Sequence, residues 1–532
     1  MSETAALPIR PDLNRRPHAA TGLIFGGLLL GGLGYLLWGL LGDINAGGGP
    51  PLAIGAFVLL GLALLIALGF EFVNGFHDTA NAVATVIYTH SLPPNFAVVW
   101  SGGFNFLGVL ASSGAVAFAV VSLLPVELIL QVGNSAGYDM IFALLFAAIV
   151  WNIGTWYLGL PASSSHTLIG SIIGVGLANQ LMAPADSVTS GVDWGQAMAV
   201  FRALLFSPVV GFVFSALLLL AMKALIRNKA LYQAPTSDKP PPLWIRIWLI
   251  FTCTGVSFAH GSNDGQKGMG LIMLILIGAV PTAFALNHAL PDSATPAFFQ
   301  ASEAAKAAFD ARAGGVVVSH DEAVAQVTAA VRSRSLQQPD TFAAFGALVG
   351  SIAQQVRDHG TMNAIPAAAV ENVRNEMYLV SEGIRFALKE GGLSPEEKTA
   401  LTAYRSSIDN ATKFIPTWVK VSVAVALGLG TMVGWKRIVV TVGEKIGKTH
   451  MTYAQGASAE MVAATTIAAA DMFGLPVSTT HVLSSGVAGT MAANGSGLQW
   501  STVRNLLLAW VLTLPAAILL AGTLYFVFRH LF

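Results

Sequence analysis

Apolar residues run along this chain in long blocks, near 20 to 42, 51 to 74, 78 to 90, 96 to 124, 139 to 157, 200 to 226, 244 to 260, 268 to 290, 414 to 434, 456 to 473 and 503 to 529. A helix needs about 20 such residues to cross a hydrocarbon core of roughly 30 Å. Most blocks meet that length and the shorter ones read as half-spans, so the pattern predicts ten to twelve membrane elements. The alternation of apolar and polar positions that marks an outer-membrane barrel is absent. Only helices and closed barrels satisfy their backbone inside lipid, so the expected fold is an all-α polytopic bundle. The first block is long and lacks a small-residue cleavage site, and is expected to stay as a helix rather than leave as a signal peptide.

Polar residues break this pattern at one place. Residues 291 to 410 hold 14 of the 28 acidic and 10 of the 28 basic side chains, leaving 32 charges for the other 412 residues. A soluble insert therefore interrupts a membrane body, and its Ala-rich stretches with Glu, Arg and Lys predict helices with one face in water. The expected organisation is a tail at 1–18, a first membrane repeat at 19–230, a cytoplasmic linker at 231–243, the start of a second repeat at 244–290, the insert at 291–412 and the rest of the second repeat at 413–532. Short basic loops stay in the cytoplasm. The segment from Arg227 to Arg246 carries Arg227, Lys229, Lys239 and Arg246 against Asp238 alone, and the tail, with Arg10, Arg15 and Arg16, leans the same way. The side of the insert depends on the number of helices between 244 and 290.

Composition removes several functions. The chain is 54% apolar and 11% charged, where soluble domains carry about 25% charged residues. Its formal net charge is zero, without the positive field that nucleic-acid binding needs. A single cysteine, Cys253, rules out an internal disulfide and paired-thiolate metal sites.

Two distant segments read almost alike: Gly159-Leu160-Pro161-Ala162-Ser163-Ser164-Ser165-His166 and Gly474-Leu475-Pro476-Val477-Ser478-Thr479-Thr480-His481. Upstream of each lies a weaker pair, Gly75 to Ala82 around Asp78 and Gly261 to Gly268 around Asp264. Asp78 precedes His166 by 88 residues and Asp264 precedes His481 by 217, and the insert accounts for nearly all of the difference. The body thus reads as two copies of one design, expected in inverted orientation. Repeated halves with Gly- and Pro-interrupted apolar segments point to a secondary transporter whose site lies at the repeat interface. A helix that starts after the Ser or Thr run aims free N–H groups and its positive dipole end into a cavity, where an oxyanion fits. The plainer reading is that Ser and Thr here only cap freed carbonyls and that Gly170 to Gly176 serves close helix packing.

Acids in the membrane carry more weight, because an ionised carboxylate near the bilayer centre costs at least about 2.5–3.5 kcal/mol. Asp78 and Asp264 must have partners. The Gly-, Asn-, Thr- and Ser-bearing runs around them offer oxygen ligands to a hard cation. Glu71, Glu460 and Asp471 are further candidates, with helix-end charges at the interface as their plainer reading. Lys267 stands where the first copy has Asn81, placed to neutralise Asp264 or to bind an anion. His166 and His481 read as orienting partners as readily as proton carriers.

These motifs, with Trp435, Gly443 to Lys448 and Tyr453 to Gly456, resemble those of the inorganic phosphate transporter (Pit) family, in particular its bacterial low-affinity branch. The resemblance implies uptake of orthophosphate driven by a cation gradient across the bacterial inner membrane, with re-entrant hairpins gating one site. Carried over, Asp78, Asp264, Asn263 and His77 would serve the coupling cation or proton. Ser163, Ser164, Ser165, Ser478, Thr479, Thr480, Asn81 and Lys267 would hold phosphate. The first signature of the family usually has Asn where this chain has His77, and the second has Asn where this chain has Lys267. A positive charge in place of an amide that could ligate sodium points to proton coupling. The family also implies that a divalent metal travels with phosphate as a neutral complex; no resident cofactor is expected, and the protein is expected to meet lipid, phosphate, a coupling cation and further copies of itself. Rival readings are a carrier of another tetrahedral oxyanion such as sulfate or arsenate, a passive channel, and an intramembrane hydrolase. Adjacent Ser165 and His166 are poorly placed as a hydrolase's nucleophile and base, so no enzyme is expected.

Overall fold

The structure, a computed structural model, describes residues 10–14, 19–130, 135–184, 191–334, 336, 338–390 and 392–531, apart from the side chains of residues 19, 79–81, 126, 127, 135 and 136. These residues form helices, with no strand among them. In chain order the first ten are α1 (Ala19–Ala46), α2 (Ile54–Tyr88), α3 (Pro94–Ala111), α4 (Ala115–Val121), α5 (Val126–Leu130), α6 (Ser135–Tyr157), α7 (Ser164–Met182), α8 (Trp194–Leu225), α9 (Leu243–Ala279) and α10 (Pro281–Phe284). The insert contributes α11 (Thr295–Asp310), α12 (His320–Ser333), α13 (Pro339–His359), α14 (Ala367–Glu390) and α15 (Pro395–Thr412). The chain then returns to the bundle with α16 (Thr417–Thr431), α17 (Lys436–Val440), α18 (Tyr453–Met472), α19 (Thr479–Ala493) and α20 (Trp500–Leu531).

Six helices, α1, α2, α6, α8, α9 and α20, are long and apolar enough to cross a bilayer, or up to eight if the bent pairs α3 with α4 (77°) and α15 with α16 (72°) each make one span. The ten to twelve elements that the hydrophobic pattern predicts include half-spans; the full spans number six to eight. Blocks separated by polar motifs turn out to be single helices: 51–74 joins 78–90 as α2, and 244–260 joins most of 268–290 as α9. His77 and Asp78 of the first upstream motif and Asn263, Asp264, Gln266 and Lys267 of the second are buried in the bundle instead of breaking it, so Asp78 and Asp264 sit on continuous helices and not at interruptions.

Real breaks fall at the two Gly-Leu-Pro motifs. Gly159 and Gly474 adopt φ of +66° and +63°, a conformation that costs other residues roughly 1–2 kcal/mol. Past each break a serine caps the next helix: Ser163 Oγ accepts the His166 N–H, and Ser478 Oγ accepts the His481 N–H, both at 3.1 Å. The helices so started are exchanged between halves, α7 packing along α20 and α19 along α8. Both long partners have 32 residues with one proline near the middle, Pro208 in α8 and Pro515 in α20. The crossings are close enough that a Cβ on Gly174 would lie 2.2 Å from the Ile518 carbonyl and one on Gly489 2.1 Å from that of Phe212.

The insert is a helical bundle with its own core, including Phe298, Phe309, Phe345, Ile352, Val380 and Tyr404. Ser319 with Glu322 and Ser394 with Glu397 form capping boxes that start α12 and α15. Arg385 of α14 ties it to the membrane body through Asp193 at 2.8 Å, where α8 begins. α9 starts next to the basic loop, with Arg246 Nε donating to the Ser91 carbonyl at 2.9 Å, and runs without interruption to the insert. One helix between 244 and 279 puts the insert and the Arg227–Arg246 loop at opposite ends of the bundle.

Candidate functional site

Glycines three residues before each acid let α2 and α9 sink into their neighbours. A Cβ on Gly75 would lie 2.2 Å from the Leu427 carbonyl of α16, and one on Gly261 2.1 Å from the Asn105 carbonyl of α3. The next helical turn then carries Asp78 and Asp264 into the interior, 3% and 0% exposed.

Both Ser/Thr tips converge on these carboxylates. Ser164, in the first turn of α7, donates to Asp78 Oδ2 at 2.6 Å and lies 3.4 Å from Asp264 Oδ2. Thr480, in the first turn of α19, donates to Asp78 Oδ1 at 2.5 Å. Lys267 Nζ pairs with Asp264 Oδ1 at 2.8 Å and donates to Ser165 Oγ at 2.5 Å, while the Ser165 hydroxyl donates to the Val477 carbonyl at 2.7 Å. One connected cluster therefore joins α2, α9 and both tips. It supplies what a buried carboxylate demands, a counter-charge or several donors. His77 adds to it, with Nδ1 3.0 Å from Asp78 Oδ1 and Nε2 3.1 Å from Thr155 Oγ1. Both ring nitrogens thus face oxygens.

The remaining predicted residues take other positions. Ser163 and Ser478 spend their acceptor capacity as helix caps. Asn263 holds the second break, donating to the Leu475 carbonyl at 3.1 Å with Oδ1 3.5 Å from the Val477 nitrogen. Thr479 is 4% exposed and its hydroxyl has no partner. The Asn81 side chain lies outside the described residues. His166 and His481 meet as tilted rings with centroids 4.7 Å apart, and His481 stacks on Trp510 at 4.2 Å. Ser165 bonds to Val477 and Lys267 rather than to a histidine, so no nucleophile–base pair forms. Glu71 and Glu460 are fully buried and not interfacial: Glu460 accepts from Thr85 and Thr252, and Glu71 packs on Gly268. Asp471, near the end of α18, accepts from Ser262 and Gln266 at 2.6 Å each.

Sequence reasoning missed His260 and Asn105. His260 Nε2 lies 3.6 Å from Asp264 Oδ2 and its Nδ1 2.9 Å from Asn105 Oδ1. The signal was its place four residues before Asp264, one helical turn away on the same face. Ligand atoms of Asp78, His260 and Asp264 lie within 4.8 Å of one another. This oxygen and imidazole set suits a cation, for which the Lys267 ammonium, 2.8 Å from Asp264, competes.

Apolar helices around a closed, charge-bearing interior make this a multi-pass membrane protein of the kind that carries solutes. The chain belongs to the Phosphate transporter family, whose profile matches residues 74–521. It is 42% identical over 485 residues to the low-affinity inorganic phosphate transporter PitA of Escherichia coli (strain K12), covering 88% of this chain and 96% of PitA. It is 41% identical over 500 residues to PitB of the same strain, covering 90% and 98%. These relatives are transporters and not enzymes. A solved structure described as the sodium-dependent phosphate transporter shares the fold at TM-score 0.50 and 20% identity, over 89% of this chain and 100% of that one.

Proposed function

We propose that the chain is a secondary carrier that imports inorganic phosphate, free or as its neutral complex with a divalent cation, by symport with protons rather than sodium. The observation that carries this reading is the meeting of Ser164 and Thr480, from the two copies of the motif, on the same buried carboxylate, Asp78. A group held from both halves can be exposed by either one in turn, which alternating access requires. Phosphate would be met by the free Thr479 hydroxyl, the first-turn N–H groups of α7 and α19, and Lys267. Proton coupling is supported by Lys267, which already occupies the cation position beside Asp264, and by His77, whose two ring nitrogens face Asp78 and Thr155.

The exchanged pairing of α7 with α20 and of α19 with α8 supports two inverted repeats with re-entrant tips. Arg10, which pairs with Glu444 at 3.1 Å, and Lys445 and Lys448 add to the basic end that holds Arg227 to Arg246. With that end in the cytoplasm of an inner membrane, the insert faces outward. Proteoliposomes of the full chain, given labelled phosphate and a pH gradient with choline in place of sodium, test the reading. Accumulation against the phosphate gradient is expected. Its loss on removing sodium would defeat proton coupling, and downhill flux alone would make the protein a channel.

A further inference from the structure

The insert meets the membrane bundle along α14, and there the charges do not balance. A cavity of about 50 Å³ opens between α4, the last turns of α9 and the insert. One water needs roughly 10–15 Å³ of such space, so the cavity holds several waters or one tetrahedral oxyanion. Its membrane wall is apolar apart from Ser122, while the insert presents Arg374, Tyr378, Glu382, Thr412 and Lys413.

Arg374 is the unexpected member. It is 7% exposed, and among the described residues it forms no ion pair. Its Nη1 donates to Asn375 Oδ1 at 3.1 Å, its Cζ lies 5.2 Å over the Tyr378 ring, and its Nε has no partner. The other charges cancel: Lys413 pairs with Asp409 at 2.8 Å, and Arg385 pairs with Glu382 at 2.6 Å and Asp193 at 2.8 Å. Burial pulls the Arg374 guanidinium below the ordinary arginine pKa, and Tyr378 and Glu371 nearby offset only part of that desolvation. Arg374 thus lines the cavity as a buried guanidinium without an ion pair, a group that an anion would compensate. Its fork geometry matches the oxygens of a phosphoryl group.

We infer that this cavity is a second oxyanion site, in which Arg374, with Lys413 beside it, binds a phosphoryl group, supplied either by inorganic phosphate or by the headgroup of an anionic lipid. It lies along α9 from the central cluster: Gly270 and Ile277 line it, six and thirteen residues past Asp264 and so about 9–20 Å away along the helix. It is therefore distinct from the cluster around Asp78.

The full chain carrying Asp78→Asn, in nanodiscs of phosphatidylcholine, is the background for the test, with labelled inorganic phosphate as probe. If phosphate fills the cavity, one saturable site remains in that background, and adding Arg374→Gln weakens it about tenfold or more. If a lipid fills it, phosphate does not bind, but adding phosphatidylglycerol raises the melting temperature and Arg374→Gln removes the rise. Either result supports the site and names the source. Phosphate binding or a lipid-dependent rise that Arg374→Gln leaves unchanged, or the absence of both, overturns it. Arg374→Met guards against a folding failure: losing an uncompensated buried charge should raise the melting temperature of the ligand-free chain, and a fall would mean that Arg374 is satisfied without an anion. Should Asp78→Asn bind as much phosphate as the parent, the central pocket reading fails while the Arg374 comparison still decides this one.

Discussion

Replacing Lys267 with methionine removes an ammonium 2.8 Å from Asp264 and keeps most of the side chain's apolar volume. The two side chains are 1% and 0% exposed, so water cannot take the place of the lost charge. Among the described residues Asp264 would keep His260 at 3.6 Å and Ser164 at 3.4 Å, both longer than a good charged hydrogen bond. Removing one partner of a buried pair costs about 3–5 kcal/mol, because the other charge is left uncompensated. Pairing Lys267→Met with Asp264→Asn leaves an amide that needs only hydrogen bonds. The double variant should therefore lose less than the sum of the single variants, by about 2 kcal/mol or more. Denaturant titration of the four proteins in mixed micelles measures this cycle, and phosphate uptake by the same samples reports whether the pair matters for transport. Single-variant losses that add to within about 0.5 kcal/mol would refute a tight pair between these residues.

Further outcomes follow from the same geometry. Asp78→Asn should abolish phosphate uptake while membrane insertion stays normal, and near-normal uptake would remove that carboxylate from the mechanism. Ser164→Ala and Thr480→Val each lose a bond donated to the Asp78 carboxylate, worth about 1.5–3 kcal/mol for a charged acceptor; because that bond favours the charged form, uptake titrated against external pH should show each running at about tenfold or more lower proton concentration. Gly474→Ala places a methyl group on a residue at φ +63°, so the melting temperature should fall by the equivalent of about 1–2 kcal/mol. In the insert, His320 Nε2 lies 2.9 Å from Glu376 Oε1, and that hydrogen bond raises the histidine's pKa. The stabilisation is full at pH below the ordinary histidine value and fades as pH rises through the raised one. His320→Gln should thus lower the melting temperature of the insert at about pH 5.5 and barely change it at about pH 8.5.

The broad architecture could be read from hydrophobic blocks and charge density, because span length and solvent exposure are properties of segments. Polarity was taken for interruption in two places. His77 and Asp78 look like a break in a row of letters, yet they share an α2 that stays helical because these two polar side chains find partners inside. The two true breaks were legible, since Gly159 and Gly474 stand where only glycine sits comfortably at positive φ. Repetition identified Ser164, Thr480, Asp78 and Asp264, and the structure brings all four together. What repetition cannot tell is which hydroxyl points where. Ser163 and Ser478 turn to their own backbone, and Asn263 turns to residues 475 to 477. Asn105 was invisible for the same reason, because its partner, His260, is 155 residues away.

A structure of the full chain at saturating phosphate and mildly acidic pH would decide most directly whether one pocket serves anion and cation. Phosphate density should lie within hydrogen-bond distance of the Thr479 hydroxyl and the Lys267 ammonium, between the first turns of α7 and α19. Density found only elsewhere, with the contacts of Ser164 and Thr480 to Asp78 unchanged, would mean that the two tips close a packing joint and not a binding site.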